Sequence, residues 1–93
     1  MSFPLLRTSA FVRAAGKYTR KNPKAAVDLE SALVQLAEDP FQPALRSHQL
    51  KGKLKGSWAC SAGYDLRIIF SFVKRGQSDA ILLESIGTHD EVY

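Results

Sequence analysis

Cysteine is nearly absent: Cys60 is the one thiol in 93 residues. No internal disulfide can form, and one thiol with two histidines is too small a set for a structural zinc site. Cys60 itself reads as a small buried apolar residue rather than a reactive one. Long apolar runs are missing as well. No stretch approaches the roughly 18 residues that cross a bilayer, so a membrane-spanning helix is excluded and a soluble domain is expected. The opening MSFPLLRTS has no basic leader followed by a long apolar run, from which a cytoplasmic location is expected. Internal repeats and low-complexity tracts are absent too. Acidic residues are in the minority, 9 against 13 lysines and arginines, for a formal charge of +4 and an isoelectric point near 9.5. That balance suits a polyanionic or acidic partner, although a basic face that is merely solvated has the same composition.

What is present fits one domain, residues 1–93, because a chain of this length can bury a single core of one sheet on one or two helices. A short apolar run between Phe3 and Thr8 reads as an edge strand. Ser9 can then cap a helix in which Phe11, Ala15 and Tyr18 recur near helical spacing. Asn22-Pro23 is a second helix start, a cap followed by proline at the first helical position. Behind it Ala26, Leu29, Leu33 and Leu36 form an apolar stripe that Asp39-Pro40 ends. The second helix is thus expected over Pro23 to Glu38, joined to the first by a tight connection at Lys21-Asn22. Beyond Pro40 and Pro43 the texture changes to short β-like runs separated by glycine, at 46–50, 57–62, 64–74 and 80–86, with 74–78 an exposed hairpin loop. Tyr64, Leu66, Ile68, Phe70 and Phe72 share one strand face by the period of two and are expected against the helices. Asp65, Arg67, Ile69 and Ser71 share the free face. The order β-α-α-β-β-β-β gives an α+β domain, an N-terminal strand and helical hairpin packed on a twisted antiparallel sheet.

Three places carry residues able to do chemistry. In SHQLKGKLKG, residues 47–56, Lys51, Lys53 and Lys55 follow His48 on alternate positions; in an extended segment their ammonium groups point the same way and attract phosphates. A solvated lysine-rich turn is the plain alternative. Asp65 and Arg67 are the second place. The guanidinium fork can hold a phosphate while the carboxylate accepts a proton or orients the arginine, and a structural ion pair across the sheet is the alternative. The third is the ending GTHDEVY, where His89, a ring that titrates near neutrality, stands close to Tyr93, a ring that can stack on a base. Together they make the inventory of a metal-free ribonuclease, which must deprotonate a ribose 2′-hydroxyl, neutralise the pentavalent phosphate and protonate the leaving 5′ oxygen. That chemistry needs no cofactor.

The stretch HQLKGKLKGSWACSAGYDLRIIFSF, followed by ILLESIGTHDEVY, resembles the RelE/ParE toxin superfamily of bacterial toxin–antitoxin systems, and within it the YafQ-like branch. The H-x-L-x-G opening, the Y-D-x-R-I-I-F strand and the G-T-H-D-E-V-Y ending carry the likeness, and the N-terminal helices match only in element order. The resemblance implies a RelE-like fold and a ribosome-dependent endoribonuclease that cuts messenger RNA in the decoding site and so inhibits translation. It implies His48 or Asp65 as base, His89 as acid, Arg67 and the lysines on the phosphate, and Tyr93 against the RNA, with a 2′,3′-cyclic phosphate and a 5′-hydroxyl as products. Ser61 is a departure: it stands in WACSAGYD where the branch carries a further histidine, and serine cannot shuttle a proton near pH 7. The implied partners are messenger RNA, the ribosome and a small acidic antitoxin complementing Arg13, Lys17, Arg20 and Lys21, the toxin being monomeric outside that complex. Two other readings share the scaffold. A ParE-like toxin binds DNA gyrase and needs no proton-transfer groups, and a toxin with weakened catalysis persists as an antitoxin-binding partner, which Ser61 keeps open.

Overall fold

The computed structural model describes residues 2–52 and 56–92. The chain runs through β1 (Leu5–Arg7), α1 (Ser9–Thr19), α2 (Pro23–Glu38), a 3-10 turn (Pro43–Leu45), β2 (His48–Gln49), β3 (Trp58–Ser61), β4 (Leu66–Arg75), β5 (Ser78–Thr88) and α3 (His89–Val92). The sheet order is β1-β5-β4-β3-β2. From β2 to β5 every neighbour is antiparallel, as expected, but β1 lies parallel to β5, with Leu5 opposite Ile81 and Arg7 opposite Leu83. The sheet is therefore mixed. Parallel pairing requires a long crossover, and the two helices that follow β1 begin one.

Local chemistry sets both helix starts. Asn22 accepts from the Ala25 N–H at 3.1 Å with Pro23 at the first helical position, so α2 has the predicted bounds. Its buried stripe is Ala25, Leu29, Ala32 and Leu36, rotated slightly from the expected one; Ala26 is exposed and Leu33 half-buried. Thr8, rather than Ser9, caps α1, accepting from the Phe11 N–H at 3.0 Å. The reason lies across the fold. The β4–β5 register slips so that Ile69 faces Ser85 while Phe70 faces Leu83, leaving Glu84 as the extra residue of a β-bulge. The Thr8 hydroxyl reaches the carbonyls of Leu83 at 3.0 Å and Glu84 at 2.8 Å. One side chain thus caps a helix and ties its start to the carbonyls at the bulge.

Phe11, Leu29 and Leu36 from the helices meet Ile68, Phe70, Ile81 and Leu83 from the sheet in one buried cluster. Each such side chain contributes about 1.5–3 kcal/mol by leaving water. Cys60 is fully buried beside them, and burial pushes its thiol up to about 12, so it is the inert small residue the sequence suggested. Leu66, Ile68 and Phe70 point into the core as expected, and Phe72 is half-buried. Tyr64 does not follow them: it is 97% exposed. Gly63, at φ 92°, turns the chain there, and the pleat begins only at Leu66.

Candidate active site

The site is assembled where β5 ends. Thr88 and Glu91 form a capping box: the Glu91 carboxylate accepts from the Thr88 N–H at 2.8 Å, and the Thr88 hydroxyl accepts from the Glu91 N–H at 3.3 Å. This exchange turns the chain from strand into α3. A side chain at Gly87 would meet Val92 Cγ2 at 3.2 Å and Glu91 Cβ at 3.3 Å, so the fold-back is closed by the lack of one. The same Glu91 oxygen receives the Tyr18 hydroxyl of α1, tying the tail to the helical hairpin. The Thr88 N–H, with the Tyr18 hydroxyl second, holds the Glu91 carboxyl below its ordinary range, while that hydrogen bond raises the Tyr18 phenol.

The turn brings His89 to Asp65. The His89 N–H donates to the Asp65 carbonyl at 2.9 Å and, longer, to its Oδ1 at 3.3 Å. Both side chains are exposed, and the His89 ring Nδ1 stands 3.6 Å from Asp90 Oδ1. Asp65 and Arg67 do not share a free strand face as the alternation suggested, because Asp65 precedes β4. Among the described residues no ion pair joins them. Arg67 is half-buried in β4 and its Nη1 donates to the carbonyl of Leu66 at 2.9 Å.

Register relates the remaining groups. Arg67 lies opposite Gly87 on one side and Ser61 on the other, and His48 lies opposite Ala59, two residues from Ser61. The period of two therefore sets His48, Ser61 and Arg67 on one face of the sheet, opposite Cys60 and Ile68. Two strand steps and two residues put His48 and Arg67 roughly 12 Å apart at their Cα atoms, enough to admit a ligand backbone between their side chains. The exposed His48 ring uses Nδ1 to donate to the Arg46 carbonyl at 3.0 Å, which makes Nε2 the basic nitrogen of the neutral ring. Lys51 is exposed beyond β2. Lys53, Lys55 and Tyr93, also read as site residues, lie outside the described residues.

Sequence reasoning missed four residues here. Tyr18 and Glu91 anchor the tail, and the T-x-x-E spacing of 88–91 was a legible signal for the second of them. Tyr64 was assigned to the core, although the preceding Gly63 marked a turn. Arg46 carried no local signal. Two pockets flank the turn 62–65, one of about 310 Å³ bordered by Tyr18, Asp65 and Thr88, the other of about 420 Å³ bordered by Arg46, Ser61 and Arg67. Among the described residues no group of three or more His, Cys, Asp or Glu side chains is placed to hold a metal ion, and no helix is long and apolar enough to cross a membrane.

Comparison with known proteins matches residues 4–93 to a family model described as the bacterial toxin of type II toxin-antitoxin system, YafQ. Among solved structures, a YoeB/ParE toxin from Agrobacterium tumefaciens superposes with a TM-score of 0.77 at 15% identity, covering 94% of this chain and 99% of that one. The Escherichia coli DinJ–YafQ toxin–antitoxin complex matches with a TM-score of 0.74 at 17% identity over 100% of this chain and 99% of that one. A copper-bound mutant toxin from Helicobacter pylori matches with a TM-score of 0.72 at 25% identity over 98% and 99%. No curated protein matches.

Proposed function

The chain belongs to the YafQ family of bacterial type II toxin–antitoxin toxins, and from that premise we propose that it is a ribosome-dependent endoribonuclease of messenger RNA. The observation that supports this most is the junction of Asp65 with His89, at the end of the strand pair in which Arg67 lies opposite Gly87. A gyrase-binding toxin has no use for two proton-transfer groups and an anion-binding fork.

In this reading the scissile phosphate lies over the sheet face between His48 and Arg67. His48 Nε2 or the Asp65 carboxylate removes the proton of the neighbouring 2′-hydroxyl, whose oxygen attacks phosphorus. Arg67, with Lys51, Lys53 and Lys55, neutralises the developing charge. His89 protonates the departing 5′ oxygen, leaving a 2′,3′-cyclic phosphate and a free 5′-hydroxyl, and Tyr93 stacks on a base of the message. Ser61, opposite Arg67, offers the phosphate a hydrogen bond but no proton transfer. No metal or other cofactor enters the reading, and the cell compartment is the cytoplasm, where ribosomes translate.

The partner that silences it is a small acidic antitoxin. Arg13 and Lys17 of α1 with Arg20 and Lys21 just beyond it line one exposed basic recess, which suits an acidic segment that orders on binding. The relative solved with its antitoxin supports such a partner. Outside that complex the toxin is read as monomeric.

The test is a translation reaction with purified ribosomes and a defined message. The expected result is cleavage within the translated region only when ribosomes are present, with 5′-hydroxyl ends. An intact message together with inhibited DNA supercoiling would replace the reading by gyrase binding; neither activity, with antitoxin binding retained, would leave a catalytically weakened partner.

A further inference from the structure

The pocket of about 420 Å³ lies on the side of the 62–65 turn away from Asp65 and His89, between the flank of α2 and the end of the 3-10 turn. Arg46 and Arg67 both border it, with Ser31, Gln35 and Ser61. Two guanidinium groups, two hydroxyls and an amide around one opening form a set suited to an anion. The one carboxylate on the wall, Asp28, is engaged by Lys24 at 3.2 Å.

Arg46 is held in an unusual way. Among the described non-glycine residues it alone has a positive φ, 52°, a conformation uncommon for a residue with a β-carbon. Its N–H donates to the Pro43 carbonyl at 3.1 Å and its own carbonyl receives the His48 ring, so the backbone is fixed while the side chain stays exposed. Tyr64 stands on the same rim, 97% exposed. A ring so placed packs no core, and a free inorganic anion would have no use for it.

We propose that this pocket is a nucleotide subsite: Arg46 takes a phosphate of a bound single-stranded RNA next to the one that Arg67 holds, and the adjoining base stacks on Tyr64. Arg67 and the Arg46–His48 bond connect the subsite to the face described above, so a strand seated there would be held in register with the phosphate to be cut. That the strand is RNA rests on the ribonuclease reading.

The test uses a short RNA oligomer with every 2′-hydroxyl methylated, which cannot be cleaved, and follows its binding by fluorescence anisotropy over a salt series. Arg46→Gln is expected to weaken binding about tenfold and to reduce the slope of log affinity against log salt by about 0.7, one single-strand phosphate contact. Arg46→Lys recovers the slope but not the full affinity, because an ammonium lacks the fork. Tyr64→Ala weakens binding about tenfold with the slope unchanged. All three are surface changes and should melt with the wild type. Binding that falls in this pattern without any message cleavage sinks the catalytic reading and leaves the subsite standing. Variants that bind like wild type, or a wild type that binds no oligomer, overturn the subsite. So does inorganic phosphate that perturbs the Arg46 and Arg67 side-chain NMR signals when the oligomer does not bind, since the pocket is then a free-anion site.

Discussion

The two ends of the β4–β5 pair are built from opposite materials. Towards the hairpin, Phe72 gathers Phe3, Phe41 and Trp58 at ring-centroid separations of 6.2, 5.7 and 6.0 Å, and Lys74 pairs with Asp79 at 2.6 Å. At the other end Asp65, Arg67, Thr88, His89 and Glu91 are held by a few directed hydrogen bonds. Burial is non-directional and shared among many atoms, whereas each bond at the polar end aims one group and can be lost alone. Stability and the proposed chemistry are therefore separable along one strand pair.

The sharpest break is expected at His89. His89→Ala keeps the backbone N–H that reaches Asp65, so the tail stays in place while the general acid goes, and message cleavage should fall by about 10²- to 10⁴-fold with an unchanged melting temperature. Full cleavage by a folded His89→Ala protein would remove His89 from the mechanism. Phe70→Ala is the mirror experiment. Phe70 is fully buried, so truncation should cost about 3–5 kcal/mol in denaturant melts while cleavage per folded molecule holds. A loss of cleavage larger than the loss of folded protein would show that the two ends are coupled after all.

Gly63→Ala should couple them by design, because the turn it occupies divides the two pockets. A β-carbon there would stand 2.5 Å from Asp28 Oδ2 on a backbone with φ 92°, a strain of about 1–3 kcal/mol that also displaces Tyr64 and Asp65. Melting temperature and cleavage should drop together, and a change in neither would mean the turn has room the geometry does not suggest.

The smallest effect concerns Glu91 and depends on pH. Its carboxyl titrates below the ordinary 4.5 in the folded chain, so its contribution to stability is present above that value and is lost as pH falls through the folded one. Tyr18 is the reverse: its phenol lies above the ordinary 10.0, so the contribution holds below that value and is lost as pH rises through the folded one. Thermal melts of Glu91→Gln against wild type should differ most near neutrality and converge towards acid. A difference that stays constant with pH would leave the link no electrostatic part.

Some of this protein was decided within short stretches of sequence. Asn22-Pro23 and Asp39-Pro40 set the bounds of α2, the period of two sent Leu66, Ile68 and Phe70 inward, and a thiol among apolar residues at Cys60 proved to be core. Caps, turns and periods act between residues a few positions apart, so they can be read along the chain. The candidate site was legible as residue types, His48, Asp65, Arg67 and His89, and the family likeness joined them. Their arrangement was not. That β1 runs parallel to β5, that Thr8 and not Ser9 caps α1, that Tyr64 turns outward, that Asp65 bonds to the backbone of His89, and that Arg46 shares a pocket with Arg67 were settled by the packed structure. Each depends on a carbonyl, bulge or turn supplied by a distant part of the chain, and no local period encodes a contact between residues that only the folded sheet brings together.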